Sequence, residues 1–228
     1  MEIAIRVFKA TMDQETCMKF IEGHRRLLEI HYGLAKITSS EASWMHHENT
    51  YVIVAESLDR EKIYGGARVQ LADGQLLLPI ESAIGKYDPA IHQQAGPGTS
   101  EICGLWNSME VAGLGIGSIF MARVGVVVAM QLNVEKIFFL CAPVTVRIGK
   151  RIGGVVETSL GNMGNFFYPK DDFVATAMVI NDCKTLIHAE EKERKKILEL
   201  VNNPEQQVIE TGPKGELMVN YLLKVQVP

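Results

Sequence analysis

A short glycine-rich loop followed by a long apolar segment constrains this chain more than any other feature. The loop reads AGLGIGS over residues 112–118, with glycine at every second position, and the apolar segment runs from residue 119 to residue 132. Glycine leaves a backbone N–H open to a ligand, and serine is favoured at the start of a helix, so phosphate oxygens can approach such a loop closely. The pattern therefore predicts an anion-binding loop that opens onto a buried helix.

The composition indicates a folded globular protein. The 228 residues are 47% hydrophobic and 22% charged, which suffices for a sizeable core. No run reaches the ~18 uncharged apolar residues that span a bilayer, and residues 1–10 alternate instead of resembling a signal peptide. A net charge of -4 gives no reason to expect binding to nucleic acid. We expect a cytoplasmic protein with no membrane span.

Neither the cysteines nor the histidines have the spacing of a metal site. The cysteines stand at positions 17, 103, 141 and 183 without a CxxC pair, which favours buried thiols in a reducing compartment. The triplet His46-His47-Glu48 has no second cluster of ligands and is interpreted as part of a surface loop over residues 38–48. We predict no bound metal.

The predicted elements alternate between strands and helices. Asp13 and Gly33 are the expected ends of a first helix. Two runs over residues 51–56 and 63–71 predict a hairpin, in which Gly65-Gly66 marks a bulge or a close backbone approach. Further strands are predicted over residues 3–8, 76–80, 100–106, 135–142, 155–159 and 175–180, and a helix over residues 144–152.

The chain changes character near residue 185. A charged helix is predicted over residues 190–203, with Glu191 and Lys195 at ion-pair spacing. Two short strands flank the turn TGPKG over residues 211–215 and predict a second hairpin. We therefore divide the chain into a domain over residues 1–182 and a C-terminal extension, a helix plus a β-hairpin, over residues 183–228.

Two familiar phosphate loops do not fit the glycine loop. A P-loop ends in Gly-Lys-Ser/Thr, whereas Gly117 is followed directly by Ser118. A dinucleotide-binding fingerprint requires an acidic residue at the end of the next strand, and that strand ends in Cys141-Ala142. Both readings are therefore disfavoured.

The third candidate is the loop of the GNAT superfamily of N-acyltransferases, which the chain resembles over residues 1–182. The strand EICGLW, the loop AGLGIGS, the helix behind it and the strand EKIFFLCA follow in the same order. The resemblance implies an α/β (α+β) fold, GNAT-like, with a mixed, largely antiparallel central sheet flanked by helices. It also implies acetyl-CoA or acyl-CoA as co-substrate. The implied pyrophosphate-binding residues are Gly113, Leu114, Gly115, Ile116, Gly117 and Ser118, and those beside the pantetheine and acyl carbonyl are Leu105, Trp106 and Asn107.

A second resemblance is to acyl-homoserine-lactone synthases and related N-acyl amino acid synthases. It is carried by Gly66-Ala67-Arg68-Val69, by Leu78-Pro79-Ile80 and by Glu101-Ile102. Arg68 and Glu101 match the strand arginine and strand glutamate of those enzymes, which implies that Arg68 binds substrate. Their N-terminal Arg/Trp/Asp pattern has no counterpart in residues 20–50, so homoserine-lactone synthesis is not the reaction we favour.

Acyl transfer needs a deprotonated amine, a polarised thioester carbonyl and a proton for the leaving thiolate. Glu101 is the predicted base, acting through a water; a partner for Arg68 is its other interpretation. A backbone N–H near Trp106 is the predicted source of carbonyl polarisation, because a strand that splays leaves a donor free.

The chain departs from the GNAT pattern at two places. Ala112 stands where an Arg or Gln is common, and Gly149 stands where a tyrosine acid is common. Tyr87 and Tyr168 are alternative acids. On the helix after Pro143, Arg147, Lys150 and Arg151 form a basic turn that suits a CoA phosphate, an acyl carrier protein or a solvated face.

These features predict an N-acyltransferase that moves an acyl group from acyl-CoA or an acyl carrier protein directly to an amine. The expected acceptor is a small amine or an amino-acid-like molecule. The alternative is a catalytically inactive GNAT-fold protein that binds acyl-CoA or another ligand, and the missing tyrosine favours it. Self-association into a homodimer is compatible with either interpretation.

Overall fold

The computed structural model of the protein describes residues 1–33, 37 and 42–225. The helices are α1 (Gln14–Tyr32), α2 (Pro79–Ile84), α3 (Ala90–Gln94), α4 (Met121–Gln131), α5 (Pro143–Arg151) and α6 (Glu191–Asn202). The strands are β1 (Glu2–Lys9), β2 (Thr50–Glu56), β3 (Ile63–Leu71), β4 (Thr99–Asn107), β5 (Lys136–Cys141), β6 (Val155–Val156), β7 (Asn165–Phe167), β8 (Val174–Ile180), β9 (Glu205–Gly212) and β10 (Gly215–Leu222).

All ten strands belong to one sheet, in the order β6-β8-β5-β4-β3-β2-β1-β10-β9, with β7 paired to β8. The pairs β4–β5 and β1–β10 are parallel, and the other pairs are antiparallel. This is the mixed, largely antiparallel sheet flanked by helices that the sequence predicts. The parallel β4–β5 pair lies inside the sheet, between β8 and β3, and it is the pair that positions the candidate site.

Helices cover both faces of the sheet, because its strands are apolar on both sides. Alternate residues of β2 divide between the two faces: Ile53 belongs to the core under α4, and Val52 and Val54 belong to the core under α1. In α4, every residue from Met121 to Ala129 is buried. The prediction of a buried helix behind the glycine loop is therefore confirmed, although residues 116–120 form a wider, π-type turn before it.

The C-terminal helix and hairpin are present as predicted, and they extend the same sheet. Strand β10 pairs in parallel with β1, so the hairpin adds two strands to the sheet beside β1. Helix α6 packs on α4. The predicted pair of Glu191 and Lys195 is confirmed at 2.6 Å between Oε1 and Nζ. The boundary at residue 182 itself remains a prediction.

Both predicted ends of α1 are confirmed. The Asp13 carboxylate accepts a hydrogen bond from the Thr16 N–H at 3.0 Å, and Gly33 adopts φ = 63° where its N–H bonds back to the Glu29 carbonyl. The loop predicted over residues 38–48 lies partly outside the described residues, and its described part contains a helical turn, Ser43–His46, with Trp44 buried.

The strand predicted over residues 76–80 is wrong. Helix α2 begins there, because Pro79 stands at its first position, where the ring presets φ and no N–H is lost. The Glu81 carboxylate accepts from the Leu78 N–H at 2.8 Å and fixes this start. The strand predicted over residues 155–159 is only the two-residue β6. In the described part of the chain, no helix is long and apolar enough to cross a membrane.

Candidate active site

Strands β4 and β5 pair only at one end, and a cleft opens where they part. Their register runs from Thr99 opposite Lys136 to Glu101 opposite Phe138 and stops there, although both strands continue. A cavity of about 190 Å³ lies at the opening. Its wall includes Ala122 and Ile148 from the α4 and α5 face and His24 and Leu27 from the α1 face. The cavity therefore reaches both sides of the sheet.

A β-bulge in β4 accounts for the divergence. Cys103 lies opposite Arg68 and Trp106 lies opposite Gly66, so Gly104 and Leu105 together face the single residue Ala67. Gly104 has φ = 63°, which glycine adopts at low cost, and a bulge of this kind bends its strand. The close backbone approach that the sequence predicts at Gly65-Gly66 is confirmed: a Cβ on Gly65 would stand 2.6 Å from the Trp106 carbonyl oxygen, and one on Gly66 would stand 2.6 Å from the Ile53 carbonyl oxygen. Beyond Glu101, the edge of β4 that faces β5 has no strand partner in the described part of the chain. The backbone N–H that we predict to polarise the thioester carbonyl would lie along this edge.

The glycine loop leaves backbone N–H groups unpaired among the described residues, as an anion-binding loop requires, although Gly115 and Ile116 are themselves buried. Gly113 and Gly115 have φ of 89° and 91°. Within the described chain, the N–H groups of Gly115, Ile116 and Gly117 have no hydrogen-bond acceptor, as expected for the first turn of a helical segment. These three backbone donors support the predicted phosphate site.

The side chains predicted at the loop have other roles. Ile116 is buried, and Leu114 packs against the core. The Ser118 hydroxyl donates to the Gly115 carbonyl at 3.1 Å and closes the turn from within. The Asn107 amide donates to the Ser108 carbonyl at 2.8 Å, and its side chain occupies the space that a Cβ on Gly117 would need. These residues hold the loop's shape, and the donors that remain are backbone N–H groups.

Glu101 lies in the wall of the cavity and is 2% exposed. Its carboxylate accepts a hydrogen bond from the Ile80 N–H at 2.6 Å. Burial nevertheless raises the pKa of Glu101 to about 8, because the desolvation cost outweighs the Ile80 hydrogen bond and the attraction of Arg68. A carboxyl with this pKa can take up and release a proton near neutral pH.

Arg68 is buried beside Glu101, and within the described residues it has no carboxylate partner. It is 1% exposed, its Nε donates to the Cys103 Sγ at 3.2 Å, and its guanidinium lies 4.6 Å from the centre of the Trp44 ring. Its Nη1 has no hydrogen-bond partner, and no carboxylate of a described residue lies within ion-pair distance. A buried guanidinium costs free energy unless an anion compensates it, so this environment suits an anionic ligand.

Trp106 lies on the α1 side of β4, away from the mouth of the cleft. Its ring fills the space where a Cβ on Gly23 would stand and meets Phe20 edge-on at 6.1 Å between centroids. The side chain is therefore part of the core, which leaves the backbone near Trp106 as the candidate for carbonyl polarisation. The preceding residue of the same strand, Leu105, lines the cavity, and its place beside the pantetheine stays a prediction.

His24 is a cavity residue that the sequence analysis did not single out. It is 3% exposed, its Nδ1 has no hydrogen-bond partner among the described residues, and burial and the Arg68 charge lower its pKa to about 4. The ring is therefore neutral at pH 7. Its spacing of four from both Phe20 and Leu28, each buried, would have placed it on the inner face of α1.

The two candidate acids occupy different environments. Tyr168 lines the cavity, whereas Tyr87 is 54% exposed beside Lys86. At Gly149, an added Cβ would stand 2.8 Å from the Phe139 ring and 2.9 Å from the Met178 sulfur, so a tyrosine cannot be accommodated there. Tyr168 is therefore the phenol that the fold brings to the cleft.

The basic turn on α5 divides into two parts. Arg151 bonds to Glu193 at 2.6 Å and to Glu190 at 3.3 Å, so it anchors α6. Arg147 and Lys150 are exposed and stay available for an anionic ligand.

The cysteines do not offer a nucleophile. Burial raises the pKa of Cys103 and of Cys141 to about 11, so both thiols are protonated near neutral pH. Among the residues that the structure describes, no group of three His, Cys, Asp or Glu side chains has the geometry of a metal site.

Comparison with solved structures identifies the fold as that of GNAT-type acyltransferases. An N-acyl amino acid synthase from uncultured soil microbes, FeeM, aligns with a TM-score of 0.57 and 14% identity over 78% of this chain and 89% of its own. The CoA-dependent acyl-homoserine lactone synthase BjaI, solved with SAM and isopentyl-CoA, aligns with a TM-score of 0.57 and 10% identity over 88% of this chain and 90% of its own. An acyl-CoA N-acyltransferase from Pseudomonas aeruginosa aligns with a TM-score of 0.54 and 11% identity over 77% of this chain and 97% of its own.

Sequence comparison adds no family assignment. A scan against protein-family models found no match, and a search of curated proteins found none either. The two resemblances predicted from the glycine loop and from Arg68 with Glu101 are therefore supported at the level of the fold.

Proposed function

We propose that the protein is an N-acyltransferase that transfers an acyl group from a CoA thioester directly to the amine of an amino-acid-like acceptor. The observation that carries the proposal is the cavity between β4 and β5, which reaches both faces of the sheet and has Glu101 in its wall. A donor that enters from the glycine-loop side and an acceptor that enters from the α1 side can meet there. The neighbouring structures named for acyl-CoA and N-acyl amino acid chemistry support the same reaction class.

The chain's own groups suit each part of the donor. The free N–H groups of Gly115, Ile116 and Gly117 suit the pyrophosphate. The cleft beyond the bulge at Gly104 suits the pantetheine, and an unpaired β4 N–H near Trp106 suits the thioester oxygen. The apolar residues around Phe139 give the cavity an acyl-binding character.

The reaction follows from the positions of Glu101 and Tyr168. The Glu101 carboxylate takes the proton from the acceptor amine through a water, and the amine nitrogen attacks the thioester carbon. The tetrahedral oxyanion is stabilised by the β4 N–H; when it collapses, the C–S bond breaks and Tyr168 gives its proton to the thiolate. The products are an amide and free CoA thiol, and proton exchange with water returns Glu101 and Tyr168 to their starting states.

Arg68 supports an acceptor with a carboxylate. Its unpartnered Nη1 lies in the same buried region as Glu101, whose pKa its charge affects. An α-amino acid would place its carboxylate toward Arg68 and its amine toward Glu101. An acyl carrier protein in place of CoA is a second donor with the same pantetheine arm.

The alternative of an inactive ligand-binding protein rests on Gly149, but Tyr168 supplies a phenol in the same cavity. Native mass spectrometry with acetyl-CoA, a long-chain acyl-CoA and an acyl carrier protein tests donor binding, and thiol release with pooled amino acids and amines tests transfer. We expect binding and release with at least one donor and acceptor. Absence of binding to every donor contradicts the proposal. If the wild type binds a donor but releases thiol no faster than a Glu101→Gln control, the alternative is supported.

A further inference from the structure

The tip of the C-terminal hairpin lies directly on the glycine loop. The backbone N–H of Lys214 donates to the Gly113 carbonyl at 2.9 Å. Close by, a Cβ on Gly212 would stand 2.1 Å from the Leu114 carbonyl oxygen, so only glycine allows this approach. The hairpin and the loop therefore form one continuous surface, although they are far apart in sequence.

The Lys214 side chain lies along that surface. Its Cδ and Cε stand 2.6 and 2.8 Å from where a Cβ on Gly113 would be, so the stem occupies the space that glycine leaves. The ammonium group is one bond beyond Cε. Lys214 is exposed, and its ammonium has no hydrogen-bond or ion-pair partner in the described part of the chain. A free cation is thus held next to the loop whose N–H groups are unpaired.

Buried ion pairs hold the hairpin in this position. Arg123, in the helix behind the glycine loop, bonds to Glu210 of β9 at 2.6 Å and to Glu193 of α6 at 2.9 Å. The Tyr221 hydroxyl of β10 donates to Glu210 at 3.0 Å, and Lys196 also bonds to Glu210. Arg123, Glu193 and Glu210 are each at most 3% exposed. The position of Lys214 relative to the loop is therefore set by a buried network rather than by the surface alone.

We propose that Lys214 is a donor-binding residue that supplies the positive charge for the diphosphate at the glycine loop. This inference rests on the proposed function, because it assumes that the loop receives the diphosphate of CoA. The loop itself offers only backbone dipoles, since Ala112 has no phosphate-binding side chain. A diphosphate carries charge that a nearby ammonium stabilises through charge-assisted hydrogen bonds. The C-terminal extension is then part of the donor site.

The test measures the affinity of CoA and of dephospho-CoA by calorimetry for the wild type, Lys214→Met and Lys214→Arg. Dephospho-CoA keeps the diphosphate and lacks the 3′-phosphate. We expect Lys214→Met to weaken both ligands equally, by about tenfold, and Lys214→Arg to restore most of the affinity. The matched control is Lys184→Met, an exposed lysine on a different surface, which should leave both affinities unchanged. Thermal unfolding checks that each variant is folded.

Each other outcome has a distinct meaning. Weakening of CoA alone would assign Lys214 to the 3′-phosphate and overturn the inference, and so would unchanged affinity for both ligands. If the wild type binds neither ligand, the proposed function fails and this inference fails with it. A second variant, Gly212→Ala, should lift the hairpin tip from Leu114 and lower both affinities without removing a charge. Gly96→Ala, where an added Cβ meets nothing within 4 Å, is its control.

Discussion

The carboxylate of Glu101 accepts a hydrogen bond from the backbone N–H of Ile80 at 2.6 Å, across the first turn of α2. That N–H is one of the donors that a helix start leaves unpaired, so the contact ties α2 to β4 at the floor of the cleft. One such bond does not offset the burial of a charge, and the pKa of Glu101 is about 8. The residue is therefore poised between its neutral and charged forms.

Glu101→Gln is expected to lower the rate of thiol release by about 10²-fold or more, because the amide cannot accept the amine proton. In the wild type, the rate should rise with pH through a pKa of about 8 and level off above it, since the ionised carboxylate is the active form. Steady-state assays from pH 6 to pH 9.5 measure this profile. A wild-type profile that is flat across that range would argue against Glu101 as the base.

The same carboxyl should make stability depend on pH. Its pKa rises from 4.5 to about 8 on folding, so the folded state holds the proton more tightly than the unfolded state. The contribution of the Glu101 carboxyl to stability is complete below pH 4.5 and is lost as the pH rises through a pKa of about 8. Urea unfolding of the wild type and of Glu101→Gln should therefore show a difference in free energy that shifts in favour of the variant between pH 5 and pH 9. Parallel curves would refute the raised pKa.

Tyr168→Phe is expected to lower kcat by about 10²-fold while the KM for acyl-CoA stays the same, because only the proton donor is lost from the cavity. Tyr87→Phe is the matched control, since that ring is 54% exposed and lies outside the cavity wall. Thiol-release kinetics measure both variants. Equal rates for all three proteins would mean that water, and not Tyr168, protonates the leaving thiolate.

Arg68→Met is expected to raise the KM for an amino acid acceptor by about 10- to 100-fold, because a charge-assisted hydrogen bond to its carboxylate is removed. The affinity for CoA should not change, since Arg68 is buried behind the cavity wall and is not one of the residues that line it. The methyl ester of the same acceptor is the control substrate: its KM should be insensitive to the substitution. An equal effect on the ester would show that Arg68 acts through packing.

Arg123→Met is expected to lower the free energy of unfolding by about 3–5 kcal/mol, because it leaves Glu193 and Glu210 buried with too little positive charge. The control Arg147→Met replaces an exposed arginine on α5 and should change the free energy of unfolding by less than about 0.5 kcal/mol. Equilibrium unfolding in urea compares the two. A small effect of Arg123→Met would mean that the hairpin is held mainly by strand pairing.

Local patterns predicted most of the elements correctly. The hairpin of β2 and β3, the buried helix behind the glycine loop and both ends of α1 follow from periodicity, turn residues and caps, which depend on neighbours in sequence. The prediction failed at residues 76–80, where apolar residues suit a strand and Pro79 starts a helix instead. The competing signal was the proline, whose fixed φ suits the first helical turn.

The candidate site was predictable residue by residue but not as an arrangement. Arg68 and Glu101 stood out from a pattern, yet the absence of an ion pair between them and the raised pKa of Glu101 come from burial, which no local pattern reports. Tyr168 could not be chosen over Tyr87 until the cavity was known. His24 was missed because one histidine on an apolar face has no distinctive signal.

By itself, the sequence determined the glycine loop, the buried helix after it and the order of strands around both, since glycine spacing and apolar periodicity act over a few residues. Only the tertiary structure decided where β4 leaves β5, that the Trp106 side chain belongs to the core, and that Lys214 lies on the glycine loop. These features depend on a bulge, on packing across the sheet and on a buried ion network between distant segments. Contacts of that kind are set by the whole fold, because their energy arises only when residues far apart in the chain are brought together.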